Sequence, residues 1–129
     1  HTLTALSFDI EINDTDSCWS SAEPTRLYAR TAGYYMAVGG WARDAANNPN
    51  ASRHYVAVRL NGTTYIQANE VHTVAGRAVA VTVATGMFWM RRDDYVEIMA
   101  FQDSGDTRNS MAASTTAQHL CNGWLVRVA

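Results

Sequence analysis

The side chains able to do chemistry are few and scattered in this 129-residue sequence. Its four histidines, His1, His54, His72 and His119, form no His-x-His pair and no HExxH helix motif, so no zinc site of either kind is offered. Asp14-Thr15-Asp16 has the opening spacing of a calcium loop. The glycine and the distal glutamate of an EF-hand are missing at their positions, and Pro24 and Thr25 stand where later ligands belong. Turn-forming aspartates are the better reading. There is no Gly-x-Ser-x-Gly elbow and no glycine loop that would cradle phosphate. Ser110, Ser114 and His119 make a dyad only if the other hydroxyls of that stretch are ignored. The sequence therefore predicts a protein that is not an enzyme and needs no cofactor or metal.

Binding chemistry is better represented. Three polar segments, 44–53, 70–77 and 102–118, are long enough to be contact loops on a rigid scaffold. The third carries Asp103, Asp106, Arg108 and Asn109, groups suited to hydrogen-bonding sugar hydroxyls, with no tryptophan beside them for a sugar ring to stack on.

The elements that must position these loops read as strands. Residues 34–41 form a run of small and aromatic residues after Ala32-Gly33, and 55–60 alternate Val56, Val58 and Leu60 against Tyr55, Ala57 and Arg59. Asn61-Gly62 is a strong hairpin signal, and residues 63–68 make the return strand. Between 41 and 55, Asn47-Asn48-Pro49-Asn50 belongs to a turn, not to a sheet interior. Alternation also marks 6–12, 79–84 and 95–101, a short apolar run marks 87–90, and 124–128 closes the chain. Seven or eight short strands with turns between them and no convincing helix predict an antiparallel sandwich or barrel in a single domain spanning 1–129.

Composition narrows the partners. A hydrophobic fraction of 47% with 17% charged residues describes a globular chain. A formal charge of −2 argues against nucleic acid. No run approaches the ~18 apolar residues of a membrane helix, and no leader pattern is visible at the start. All ten basic residues are arginine. A GC-rich coding genome explains that plainly, and bidentate contacts at subunit interfaces are the functional alternative. Four tryptophans, six tyrosines and five methionines exceed the needs of one small core. Phe8, Tyr34 and Trp124 are read as packing. The strand at 95–101 is apolar on both faces through Tyr95, Met99 and Phe101, which is unexpected for a strand with a wet side.

Taken in order, Phe8-Asp9, Asp14-Thr15-Asp16 before Pro24-Thr25-Arg26-Leu27, then Ala32-Gly33-Tyr34-Tyr35, Leu60-Asn61-Gly62 and the closing Gly123-Trp124-Leu125-Val126 carry a resemblance. Together they resemble the C1q/TNF-like jelly-roll domains, above all those of bacteriophage structural proteins. The resemblance covers nearly the whole chain. It implies a jelly-roll sandwich over an immunoglobulin one, although Cys18, Trp41 and Cys121 mimic the immunoglobulin order; no tyrosine precedes Cys121 by two residues, where a tyrosine corner would need one. It also implies a homotrimer that buries aromatic and apolar residues of one sheet. Tyr35, Trp41, Tyr55, Tyr95, Met99 and Phe101 are the expected interface. The implied setting is the virion surface: a tail-fibre or spike head binding a host receptor or glycan, or else a capsid decoration protein among other virion proteins. A secreted C1q- or lectin-like binding protein is the remaining alternative. In such a sandwich the first and last strands pair, 8–12 beside 123–128, which would bring Cys18 and Cys121 to one end. Whether they form a disulfide or two partly buried thiols stays open.

Overall fold

The computed structural model describes residues 2–8, 16–43, 50–105 and 122–129, and every regular element among them is a β-strand. In chain order these are β1 (Thr4–Ala5), β2 (Leu27–Tyr28), β3 (Gly33–Arg43), β4 (Ser52–Leu60), β5 (Thr64–Thr73), β6 (Val79–Ala84), β7 (Phe88–Met90), β8 (Tyr95–Gln102) and β9 (Asn122–Arg127). All pairings are antiparallel. Sheet I runs β1-β8-β4-β5, with β2 sharing the β8 edge that β1 uses. Sheet II is centred on β3, with β6 and β7 in succession along one edge and β9 along the other. The protein is thus all-β, with antiparallel sheets consistent with a sandwich.

Alternation decides which side chains meet between the sheets. On β6, Val79, Val81 and Val83 are buried while Ala80, Thr82 and Ala84 are exposed. Val56 and Val58 of β4 and Val96 and Ile98 of β8 join Tyr35, Ala37 and Trp41 of β3, Val81 and Val83 of β6 and Met90 of β7 in one core cluster. Each valine, isoleucine or methionine side chain among them contributes about 1.5–3 kcal/mol by leaving water. The sheets approach closely at Gly39, where an added Cβ would lie 2.6 Å from Ile98 Cδ1.

The hairpin between β4 and β5 forms as Asn61-Gly62 predicts, with φ of 49° and 72°, both in the left-handed region that such turns require. Asn61 also ties this hairpin to β8. Its Nδ2 donates to Asp94 Oδ1 at 2.9 Å, and its Oδ1 accepts the Tyr95 amide at 3.0 Å.

Two regions differ most from the sequence expectation. Alternation over 6–12 predicted a strand, but the ladder covers Thr4–Ala5. Leu6 N still donates to Ile98 O at 2.8 Å, Phe8 N turns to Pro24 O at 2.9 Å, and both side chains pack on the core. Residues 9–12 lie outside the described residues. The polar stretch 70–77 is not all loop, because β5 continues to Thr73 and pairs Glu70 with Tyr55 and His72 with Arg53. β5 ends the order of sheet I, and an edge strand with polar side chains looks like a loop in sequence.

Candidate functional site

The outward face of sheet I is a charged ladder. On β8 the outward row is Tyr95, Glu97, Met99 and Phe101, beside Arg59, Ala57 and Tyr55 of β4. Arg59 Nη2 lies 2.8 Å from Glu97 Oε2, and Arg26 Nε lies 4.0 Å from Glu97 Oε1, which also accepts from Thr25 Oγ1 at 3.3 Å. The Glu97 hydrogen bond raises the Arg59 pKa, against the opposing cost of burial. Arg26 stacks its guanidinium 4.3 Å from the Tyr95 ring centre, and Tyr28 packs 5.5 Å from Tyr95. At the far end of the ladder the Asp103 carboxylate accepts the Arg53 backbone amide at 2.6 Å and its Nε at 2.8 Å. Those two bonds hold the Asp103 carboxyl below its usual range.

Sheet II presents the opposite chemistry. Its outward positions are Tyr34, Met36, Val38, Gly40 and Ala42 on β3, Ala80, Thr82 and Ala84 on β6, Trp89 on β7, and Asn122, Trp124 and Val126 on β9. None of these residues is charged. Tyr34, Met36, Val38, Trp89, Trp124 and Val126 are 37–53% exposed. Tyr34 and Trp89 sit opposite each other across the β3–β7 ladder with rings 5.1 Å apart, edge to face. An outward antiparallel face is ordinarily the polar one, and this one instead exposes aromatic and aliphatic side chains with no charge among them.

A third feature lies between the sheets at the end where β3 and β8 run out and β4 begins. Arg43 and His54 are buried there with Ser52 and Ser104. Arg43 Nη1 donates to Gln102 Oε1 at 3.3 Å, and Gln102 Oε1 also accepts the Ser104 amide at 2.7 Å and the Ser104 hydroxyl. Ser52 Oγ lies 2.8 Å from His54 Nε2, and the Trp41 ring packs 5.1 Å from the imidazole. Burial first, and the Arg43 charge second, push the His54 pKa down, with Asp103 pulling the other way. A serine oxygen at that distance from an imidazole has the spacing of a nucleophile and its base. Here both groups are buried, and Nδ1 has no hydrogen-bond partner among the described residues to orient the ring. The arrangement works as a polar plug at this end of the core.

The expected site residues fall unevenly on these features. Asp103 is engaged by Arg53, so its carboxylate fixes the base of the loop; Asp106, Arg108 and Asn109 lie outside the described residues. Tyr35, Trp41 and Met99 are 3%, 5% and 1% exposed, which corrects their assignment to an interface between copies. Tyr35 and Trp41 point between the sheets, where Tyr35 Oη donates to Thr31 O at 2.7 Å and Trp41 Nε1 to Tyr55 O at 3.1 Å. Tyr55, Tyr95 and Phe101 are half-buried on the charged face. Tyr34 and Trp124, read as packing residues, instead stand on the exposed apolar face, whereas Phe8 does pack on the core. Cys18 is half-buried, and its backbone carbonyl accepts from Tyr28 N at 2.8 Å. Cys121, and with it the proposed pairing, lies outside the described residues.

Among the described residues, no group of three or more His, Cys, Asp or Glu could hold a metal ion. No helix there is long and apolar enough to cross a membrane. No known family model and no curated protein matches the chain.

Proposed function

We propose that the chain is a jelly-roll module of the C1q/TNF-like kind that assembles as a homotrimer and acts, without catalysis, on the surface of a phage particle. Its role is to hold loops against a host receptor, as the head of a tail fibre or spike. The strand order supports the jelly roll. β9 returns beside β3, β8 lies between β2 and β4, and the connections β2–β3, β3–β4, β5–β6, β7–β8 and β8–β9 each pass from one sheet to the other. The observation that carries the assembly is the outward face of sheet II, which has no charged residue and exposes two tryptophans. The receptor end is the one where Asp103 is clamped by Arg53 and the polar plug stiffens the loop bases, because loops on a rigid frame make specific contacts.

Labelled antibody fragments against the protein, imaged on intact particles, test this reading. Label at the tail tip, together with blocked adsorption to host cells, is the expected result. Label over the capsid with adsorption intact overturns the receptor role in favour of shell decoration. Particles that carry no label overturn the virion assignment altogether.

A further inference from the structure

We propose that the end of the molecule where β3 begins and β7 and β9 end binds a short, carboxylate-rich peptide segment of another protein. Four exposed arginines, Arg30, Arg91, Arg92 and Arg127, make the contact. This rests on the surface-display reading above only for the source of the segment, the protein that carries the module on the particle.

The fold gathers these arginines from separate segments. Gly33 pairs with Met90 at the start of β3, so Arg91 and Arg92 leave β7 at this end. Arg127 closes β9 opposite Tyr35, and its Nη2 donates to Ala32 O at 3.4 Å. Ala29 N donates to Asp94 O, and Asp93 N to Ala29 O, each at 2.8 Å. That pair of bonds sets Arg30 beside the 91–94 turn. β7 and β9 flank β3 on opposite edges, so the cluster spans about 10 Å of backbone at the usual strand spacing.

Their charge is unanswered within the described residues. Arg26 pairs there with Glu23 and Glu97, Arg59 with Glu97 and Arg53 with Asp103, whereas these four make no ion pair. Asp94 of the same turn is occupied, since its carboxylate accepts Asn61 Nδ2 at 2.9 Å and the Arg91 backbone amide at 2.7 Å. Two of the guanidinium groups are also held in place. Arg30 Nε donates to Ser17 O at 2.7 Å and its guanidinium lies 5.1 Å from the Tyr28 ring centre, while Arg127 is tied to Ala32. Each keeps further N–H donors, and a fork already fixed loses less freedom when an oxyanion arrives.

The chemistry selects the occupant. Arginine forks suit carboxylates and phosphates alike. A nucleic acid brings a long run of phosphates against a chain of net charge −2. An acidic sugar gains by stacking on an aromatic ring, and the rings here are covered, Tyr28 by Arg30 and Tyr95 by Arg26. A lipid surface asks for apolar groups among the cations. Thr31-Ala32 and Asp93-Asp94 supply none larger than alanine, and the exposed Trp89 and Val128 lie on the face assigned above to assembly. In a second copy of the chain Glu23, Glu70, Glu97 and Asp103 are already paired internally. An extended acidic peptide remains, and about three or four of its residues cover the cluster at ~3.3 Å each. The end is also the right one. β3 runs from Gly33 here to Arg43 at the far end, where Asp103 and the receptor loops lie, and a module that points its loops outward turns this end toward its carrier.

Fluorescence anisotropy of a labelled oligoglutamate peptide of about six residues, titrated with the purified chain, tests the site, with circular dichroism as the check on folding. Binding is expected, and it should weaken as salt rises from about 50 mM to about 300 mM, because exposed pairs are screened. Arg127→Ala should weaken it about threefold, and Arg91→Ala combined with Arg92→Ala about tenfold. Arg127→Lys, which keeps the charge and loses the fork, should fall between Arg127→Ala and the wild type. Arg77→Ala, which removes the same charge near the opposite end, should leave binding unchanged. A peptide that does not bind, or an equal loss in Arg77→Ala, overturns the site. Heparin or phosphatidylglycerol vesicles that stay bound through these arginines at a salt concentration releasing the peptide overturn the occupant, in favour of a glycan or a lipid. The assay contains no particle. Peptide binding by a chain whose antibody leaves particles unlabelled therefore removes the virion reading and keeps the site, and labelled particles with no peptide binding do the reverse.

Discussion

The close approach at Gly39 gives a direct measure of how tightly the two sheets are packed. Gly39 lies mid-strand on β3, opposite Val83 on one edge and Gly123 on the other. A Cβ placed there would stand 2.6, 2.6 and 2.7 Å from Cδ1, Cγ1 and Cγ2 of Ile98, far inside the ~3.5–4.0 Å of a carbon contact. Ile98 is fully buried, and its β-branched side chain cannot swing aside cheaply. Overpacking of this kind costs about 1–3 kcal/mol. Removing a glycine from a strand returns about 0.5–1 kcal/mol by restricting the unfolded chain. Gly39→Ala should therefore destabilise by about 1–2 kcal/mol, read as a lower urea midpoint at unchanged slope and fixed protein concentration. Ile98→Ala alone should cost about 2–5 kcal/mol through the cavity it leaves. Combined, the new methyl enters the space the isoleucine vacated, so the double variant should be more stable than the sum of the singles by about 1–2 kcal/mol. Strict additivity, or a neutral Gly39→Ala, would refute the inter-sheet spacing on which the core description rests.

Two further outcomes follow from the charged groups at the loop end. Burial lowers the His54 pKa in the folded state, so its contribution is complete above the ordinary imidazole value of about 6.5 and is lost as pH falls below it, at up to about 1.4 kcal/mol per pH unit; denaturation midpoints measured from pH 7.5 to 5 should fall with pH in the wild type and lose that dependence in His54→Gln. Asp103 has a depressed pKa, so its contribution is present above the ordinary carboxylate range and disappears in acid below about pH 4; Asp103→Ala should cost about 1–2 kcal/mol at neutral pH and flatten that acid limb in the same assay.

Much of the fold was legible because most strands are half-buried and alternate. β4, β6 and β8 lie within a residue or a few of their sequence-read spans, since Val56 and Val58, Val79 to Val83, and Val96 and Ile98 mark the inward rows by period two. The second half of β5 was not legible. Asn69, Glu70 and His72 are exposed there, and an edge strand keeps its ladder through backbone groups that leave no hydrophobic trace. At the N-terminus Leu6 and Phe8 alternate and pack on the core, and their amides bond Ile98 O and Pro24 O; residues 9–12 of that span lie outside the described residues.

The exposed apolar face was harder to read because a two-sided apolar strand shows only that both faces are covered, not by what. Tyr95, Met99 and Phe101 give β8 the pattern of an interface strand, but Glu97 stands among them. In the fold that carboxylate is 6% exposed and sits between Arg59 and Arg26, in a buried ion-paired row. Residues 34–38 and 124–126 carried the stronger pattern, apolar at every position: Tyr34, Met36 and Val38 alternate with Tyr35 and Ala37, and Trp124 and Val126 flank Leu125. Without knowing that β9 pairs with β3, those two runs could be assigned to separate buried strands. Once they are neighbours, their inward residues fill the core and their outward residues line up on one surface.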